Sequence, residues 1–278
     1  MEPNISIATE NLDIAYEEAL IVKALDMNIP HGQITSIIGP NGCGKSTVLK
    51  AVGRILKPKT GLVYLNGADI RKLSTKEIAK KMAILPQTPT APSGLTVSEL
   101  VAYGRFPHQR GFGRLNAEDK KIIHWALSVT KLTEFEHREV DTLSGGQRQR
   151  VWIAMALAQQ TDLILLDEPT TYLDLAHQLE VLELLYDLNR QQNVTIVMVL
   201  HDLNLAARFS DYMIAIRDGV IIKRGTPEEV MVPQVLREAF SIDAEIVREP
   251  RTGKPVCLTY DLIHAEAPPA AIPGPVAV

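Results

Sequence analysis

The chain predicts an α/β protein, and three observations carry that reading. A glycine-rich loop, residues 39–47, separates an apolar run at Ile34–Ile38 from a helix-compatible run that begins at Thr47. Two later runs, Asp162–Asp167 and Val194–Leu200, are almost continuously apolar, as parallel strands buried on both faces are. Between residues 88 and 161 the pattern turns helical after a loop containing Pro89 and Pro92, with few β-branched runs.

Composition sets the bounds. Of 278 residues, 46% are hydrophobic and 22% charged, which suits one large globular α/β domain with an inserted or appended subdomain. No apolar run reaches the ~18 residues that a membrane helix needs, so the chain is not expected to cross a bilayer alone. The opening Met1-Glu2-Pro3-Asn4 has neither the basic nor the apolar region of a secretory signal. Two cysteines far apart in sequence, Cys43 and Cys257, suit a reducing cytoplasm. A net charge of −4 gives no general electrostatic reason to expect nucleic acid as a partner.

Taken in order, residues 5–38 read as short strands with a turn at Pro30–Gly32, and Tyr16 is the one Phe, Tyr or Trp among them. Strands follow at Gly61–Gly67 and Ala83–Gln87, so residues 1–87 are assigned, with 162–232, to one core. Residues 88–161 form a helical subdomain whose longest pattern is Ala117–Leu132. In the second part of the core, a helix at Leu175–Gln191 carries Leu175, Leu179, Leu182 and Tyr186 at three- and four-residue spacing, which predicts a core-facing stripe. A hairpin, Met213–Lys223, turns at Asp218-Gly219, and helical segments begin at Pro227. Residues 233–262 are expected to pack on the core, and the Ala- and Pro-rich stretch 263–278 reads as a disordered tail.

The chemistry begins in the glycine-rich loop. Gly39-Pro40-Asn41-Gly42-Cys43-Gly44-Lys45-Ser46-Thr47 fits the phosphate-loop template G-x-x-x-x-G-K-[ST] in the strand-to-helix context it requires. Its glycines let backbone N–H groups converge on phosphate oxygens at a helix N-terminus. Lys45 is placed for the β- and γ-phosphates, and the Ser46 hydroxyl for the Mg²⁺ that accompanies a nucleoside triphosphate. Cys43 lies inside this loop, so alkylation of its thiol is expected to block nucleotide binding, and ATP to protect it.

Asp167 ends an apolar run at the sheet edge where α/β ligands collect, which suits a metal-side carboxylate, and Glu168 beside it suits activation of the attacking water. His201 ends the next buried run and is read as contacting the γ-phosphate or that water. Gln87, at another strand end, is a candidate for contact with metal or water. Tyr16 either stacks on a base or packs in the core. Ser144 is placed to cap a long helix opened by Gly145, Gly146 and Gln147, which makes a second helix N-terminus suited to an anion.

Leu143-Ser144-Gly145-Gly146-Gln147, lying between a phosphate loop and a Leu-Leu-Asp-Glu strand, resembles the signature of ATP-binding cassette (ABC) ATPases, over residues 5–260. The resemblance implies a P-loop NTPase core of RecA-like type with antiparallel β elements at its N-terminus and an inserted helical subdomain. It implies a homodimer in which Ser144, Gly145, Gly146 and Gln147 close over the ATP held by the partner copy. It also implies that Gln87 is the loop glutamine, Glu168 the catalytic base, Asp174 the acid of the following loop, His201 the switch histidine and Tyr16 the adenine-stacking aromatic. Asp167-Glu-Pro-Thr-Thr-Tyr-Leu-Asp-Leu-Ala-His-Gln178 and Phe240–Pro250 are similar to the cassettes of ferric-siderophore importers, with heme and vitamin B12 importers as close relatives. That likeness implies transmembrane permease subunits docked near Gln87–Ser98, a substrate-binding protein acting indirectly, and a peripheral place on the cytoplasmic face of the inner membrane. A small-molecule kinase would share the phosphate loop but has no use for Leu143–Gln147. A soluble cassette of DNA repair or translation usually carries two fused cassettes or a long coiled-coil insertion.

Overall fold

A computed structural model describes residues 4–109 and 115–263. The expected tail after Ile263 lies outside them. The chain opens with β1 (Ile5–Tyr16), β2 (Ala19–Leu25) and β3 (Asn28–Pro30), and then β4 (Ile34–Ile38) and α1 (Lys45–Val52) flank the glycine-rich loop. β5 (Thr60–Leu65), β6 (Ala68–Asp69), α2 (Thr75–Ala79) and β7 (Met82–Leu85) follow, so Gln87 stands two residues past a strand expected to run to it. Next come the helices α3 (Val97–Ala102), α4 (Ala117–Val129) and α5 (Gly145–Ala158). The chain then returns through β8 (Leu163–Asp167), α6 (Leu175–Gln192), β9 (Thr195–Val199), α7 (Leu203–Phe209), β10 (Tyr212–Arg217) and β11 (Val220–Gly225). It closes with α8 (Pro227–Val230), α9 (Pro233–Phe240), β12 (Ile242–Arg248) and β13 (Pro255–Leu262).

The central sheet has the order β11-β10-β4-β9-β8-β7. Only its β10–β11 pair is antiparallel. Side-chain alternation explains why its strands read as unbroken apolar runs. Ile34, Ile38, Ile164, Leu166, Ile196 and Met198 enter the core shared with the helices. Their neighbours Ile37, Leu163, Leu165, Val197 and Val199 enter a second core, closed by α1 and by the antiparallel sheet of β1, β2, β3, β5 and β6. These strands are therefore largely apolar on both faces, with Thr35, Ser36 and Thr195 as buried polar exceptions.

The helices between β7 and β8 are fastened by a buried ion pair. Arg105 Nε donates to Asp119 Oδ1 at 2.9 Å, and its Nη1 donates to the Ala158 carbonyl at 2.8 Å and to Gln160 Oε1 at 3.0 Å. Burial pushes the Asp119 carboxyl up, but the Arg105 guanidinium and the Asn116 N–H outweigh it, and the group sits below its ordinary value. Ser74, Thr96, Asn116 and Ser144 each start a helix with a reciprocal capping box, closed three residues on by Glu77, Glu99, Asp119 and Gln147.

The stripe expected on α6 is only partly covered. Leu182 is buried, but Leu175 is 68% exposed and Tyr186 is 36% exposed. The buried face is instead Val181, Leu182, Leu185 and Leu188. Leu175 is two turns before Leu182 on the same face, in a first turn that lies beyond the covered part of the helix. At the C-terminus the β12–β13 hairpin packs on α9 and α7, and the Asn204 side chain pairs with both backbone groups of Cys257 at 2.8 and 3.1 Å.

Candidate nucleotide site

The strand order builds the site. β8 lies between β7 and β9, so the residues just past the three strands, Gln87, Glu168 and His201, meet at one edge beside the glycine-rich loop from β4. Together with Asn41, Gly42, Gly44, Lys45, Ser46, Thr47, Thr171 and Tyr172 they line a cavity of about 400 Å³. Gly42 and Gly44 turn the loop with φ of 77° and 105°, so the chain enters α1 with its first N–H groups facing that cavity. Lys45 is 5% exposed and its Nζ donates to the Gly39 and Pro40 carbonyls, each at 2.9 Å.

Glu168 is the hub of the far wall. Its Oε2 accepts from Gln87 Nε2 at 2.5 Å and from Thr171 Oγ1 at 3.0 Å, and its Oε1 lies 2.7 Å from His201 Nε2. Its backbone holds φ at 53°, a conformation unusual for a glutamate, which aims a half-buried carboxylate from the strand end into the cavity. Three donors around one acid fix its orientation before any substrate arrives.

Ser46 Oγ donates to Asp167 Oδ1 at 2.7 Å. Burial pushes the Asp167 carboxyl above its ordinary value despite that hydrogen bond and the positive charges of Lys50 and Lys45. A hydroxyl and a buried carboxylate side by side are hard oxygen donors that fit Mg²⁺, and a cation there would offset the burial of the charge. Among the described residues no group of three or more His, Cys, Asp or Glu could hold a metal ion, so the remaining ligands of such a cation would be phosphate oxygens and water.

The other expected site residues lie elsewhere. Cys43 is 4% exposed, packs in the core under the loop, and its thiol is pushed up by burial. The loop presents its backbone to the cavity and turns this side chain inward, so any alkylation of Cys43 has to reach a buried thiol. Tyr16 is 44% exposed at the end of the β1–β2 hairpin, outside the cavity lining. The same hairpin abuts the loop, because a Cβ built on Gly44 would lie 3.1 Å from Val22. Ser144, Gly145, Gly146 and Gln147 open α5, and Asp174 caps α6, also outside the lining. Sequence reasoning missed Thr171 and Tyr172, although both sit inside the Thr-Thr-Tyr run that follows Glu168-Pro169.

Fold and cavity together define a P-loop nucleoside triphosphatase. The ABC transporter family matches residues 22–171 of the chain. The chain is 66% identical over 261 residues to the iron(3+)-hydroxamate import ATP-binding protein FhuC of Bacillus subtilis (strain 168), a match covering 94% of this chain and 97% of that protein. Its fold is similar to an inward-facing metal-chelate type ABC transporter, with TM-score 0.79 and 29% identity over 93% of this chain and 97% of the other. It is also similar to a dimeric, post-hydrolysis ATP-binding cassette bound to ADP and Pi, with TM-score 0.70 and 32% identity over 79% and 98% of the two chains. The chain belongs to the ABC transporter family and is an ATPase of that family. No helix among the described residues is long and apolar enough to cross a membrane.

Proposed function

We propose that this chain is the ATP-hydrolysing motor of a ferric-siderophore importer. One observation carries the cargo: 66% identity across 94% of the chain to a protein named for iron(3+)-hydroxamate import. Two copies close head to tail over two ATP molecules. Each ATP is held by one copy's Gly39–Thr47 loop and covered by Ser144, Gly145, Gly146 and Gln147 of the other, with Asp174 beside them. The exposed Ser144 and Gly145 at a helix start support that reading, since such a start is suited to an anion from another chain.

Within each cleft Lys45 would bind the β- and γ-phosphates, and Ser46, Asp167 and Gln87 would hold Mg²⁺, which would supply charge screening for phosphoryl transfer. Glu168 takes the proton of the attacking water, His201 holds that carboxylate and the γ-phosphate in register, and Gln87 senses both. Tyr16 stacks on adenine, a role supported by the contact between its hairpin and the loop.

Residues 1–87 and 162–232 act as the nucleotide-binding core, 88–161 as the helical subdomain and 233–262 as a segment packed on the core. Permease subunits dock at residues 87–98. The exposed ring pair Tyr103 and Phe106, 5.4 Å apart in the same region, supports an apolar partner there. The chain thus works at the cytoplasmic face of the inner membrane, coupled through the permease to a substrate-binding protein.

Co-expression with candidate membrane subunits, followed by uptake of labelled ferric siderophore into transport-deficient cells, tests the assignment. Uptake that is lost with Glu168→Gln is expected. Intact ATP hydrolysis without siderophore uptake, but with uptake of heme or vitamin B12, overturns the cargo.

A further inference from the structure

His177 was assigned no role by the sequence, yet it touches two of the elements placed outside the nucleotide cavity. Asp174 Oδ1 accepts the His177 backbone N–H at 2.9 Å and lies 2.8 Å from His177 Nδ1. Those two bonds, the backbone one first, hold the Asp174 carboxyl below its ordinary value. It is therefore a carboxylate at neutral pH, and Nδ1 must carry the hydrogen that bridges them.

So pinned, the imidazole lies across Gly146. A Cβ built on Gly146 would sit 2.5 Å from Cδ2 and 2.9 Å from Cγ of the ring, whereas one built on Gly145 meets nothing within 4 Å. Of the two glycines, only Gly146 is required by its own chain, and what requires it is His177. The seam continues one turn along each helix, where Arg150 Nη1 stands 3.9 Å from Glu180 Oε2. Tyr172 and Leu175, which flank Asp174, are 87% and 68% exposed, so the joint sits at an uncovered apolar edge.

We infer that His177 is a positioning residue that locks the Asp174 turn to the start of α5 at Gly146, so that both reach the partner copy's nucleotide as one rigid piece. This rests on the head-to-tail reading above, in which both elements serve the other copy's ATP. Without the ring the two would move separately, and closing the dimer would order each of them at its own entropic expense.

The test uses the full chain carrying Glu168→Gln, which slows turnover, and measures ATP-driven dimerisation by light scattering beside binding of a fluorescent ATP analogue to the monomer. Adding His177→Ala is expected to weaken ATP-driven dimerisation by about tenfold while leaving monomer affinity within about twofold. His177→Asn, which offers an N–H near the Nδ1 position, is expected to recover part of the loss. Gly146→Ala is expected to lower the melting temperature when His177 is present and to do so less beside His177→Ala, because the clashing ring is gone. A parent that dimerises with ATP, and does so equally well with His177→Ala, overturns the strut alone, as do additive melting shifts. A parent that fails to dimerise with ATP overturns the head-to-tail reading and the strut with it.

Discussion

Two helix starts in this molecule open on glycine-containing turns, and they differ in what surrounds them. The start of α1 is enclosed: Lys45 is 5% exposed, and Gln87, Glu168 and His201 of the same chain face it across the cavity. The start of α5 is open on one side: Ser144 and Gly145 are exposed and their cap is closed by Gln147 alone, while His177 covers Gly146. The electrostatics of a helix N-terminus are the same in both. The difference lies in what the same chain sets against them: Lys45, Gln87, Glu168 and His201 line a cavity at α1, whereas the His177–Asp174 pair at α5 lies on Gly146 and encloses no cavity there. On the head-to-tail proposal, chemistry is thus housed within a copy and closure is left to a surface that a single copy leaves open.

Glu168→Gln tests the enclosed half with the largest expected effect. The amide keeps the size of the side chain but cannot take a proton from water, so turnover should fall by about 10²–10⁴-fold with ATP binding retained. Steady-state phosphate release beside equilibrium nucleotide binding measures both, and near-normal turnover would remove Glu168 from the role of base. Arg105→Ala acts on the region that carries the open half. It leaves Asp119 buried without its partner and frees the Ala158 carbonyl at the end of α5, which should destabilise the fold by about 3–5 kcal/mol. Denaturant unfolding reads that loss, and a change below about 1 kcal/mol would mean that water replaces the guanidinium.

The enclosed half was largely legible in the sequence because its parts are coded by local spacing. The phosphate loop is a contiguous pattern between a strand and a helix, Asp167 and Glu168 close one apolar run, and His201 directly follows another. What spacing could not supply is the strand order that sets Gln87 and His201 on either side of Glu168, since adjacency of β7, β8 and β9 depends on crossovers through whole helices. Thr171 was missed for a related reason: its hydroxyl reaches Glu168 only because φ of 53° at Glu168 bends the chain back on itself. On α6 the period was right and the coverage wrong. Leu175 has the spacing of a core residue but stands where no layer covers it, and helical periodicity carries no information on where a neighbouring layer ends.

Ser144→Ala separates the two halves at a smaller scale. It removes a cap that accepts from the Gln147 N–H at 3.3 Å, a loss of about 1 kcal/mol in stability. Nucleotide affinity of the monomer should not change, because the Lys45 loop is untouched, whereas ATP-driven dimerisation should weaken. An equal loss in both measurements would place Ser144 in its own chain's site. Cys43 provides a comparable check on the enclosed half: with its thiol buried and pushed up, native protein should react with iodoacetamide far more slowly than unfolded protein.

Asp167→Asn carries the smallest expected effect and asks what the enclosed half gives up for its chemistry. Burial raises the Asp167 carboxyl above its ordinary value of 3.8, so the folded chain holds that proton more tightly than the unfolded chain does. From the sign of that difference, stability is lost as pH climbs from 3.8 through the raised folded value, and the deficit persists at neutral pH. Asparagine keeps an oxygen to accept from Ser46 and carries no charge to bury. In the absence of Mg²⁺ and nucleotide the variant should therefore melt higher than the parent at pH 7 and show no such difference well below pH 3.8. With Mg²⁺ and ATP the order should reverse, because a neutral amide is a poor ligand for a hard cation and the parent alone gains from binding. Melting curves at two pH values, with and without Mg·ATP, decide the matter. A variant that is less stable than the parent at pH 7 in metal-free buffer would show that the Asp167 charge is already compensated within the chain, by Ser46 and by the lysines at positions 45 and 50, and that the buried acid is not held in reserve for a cation.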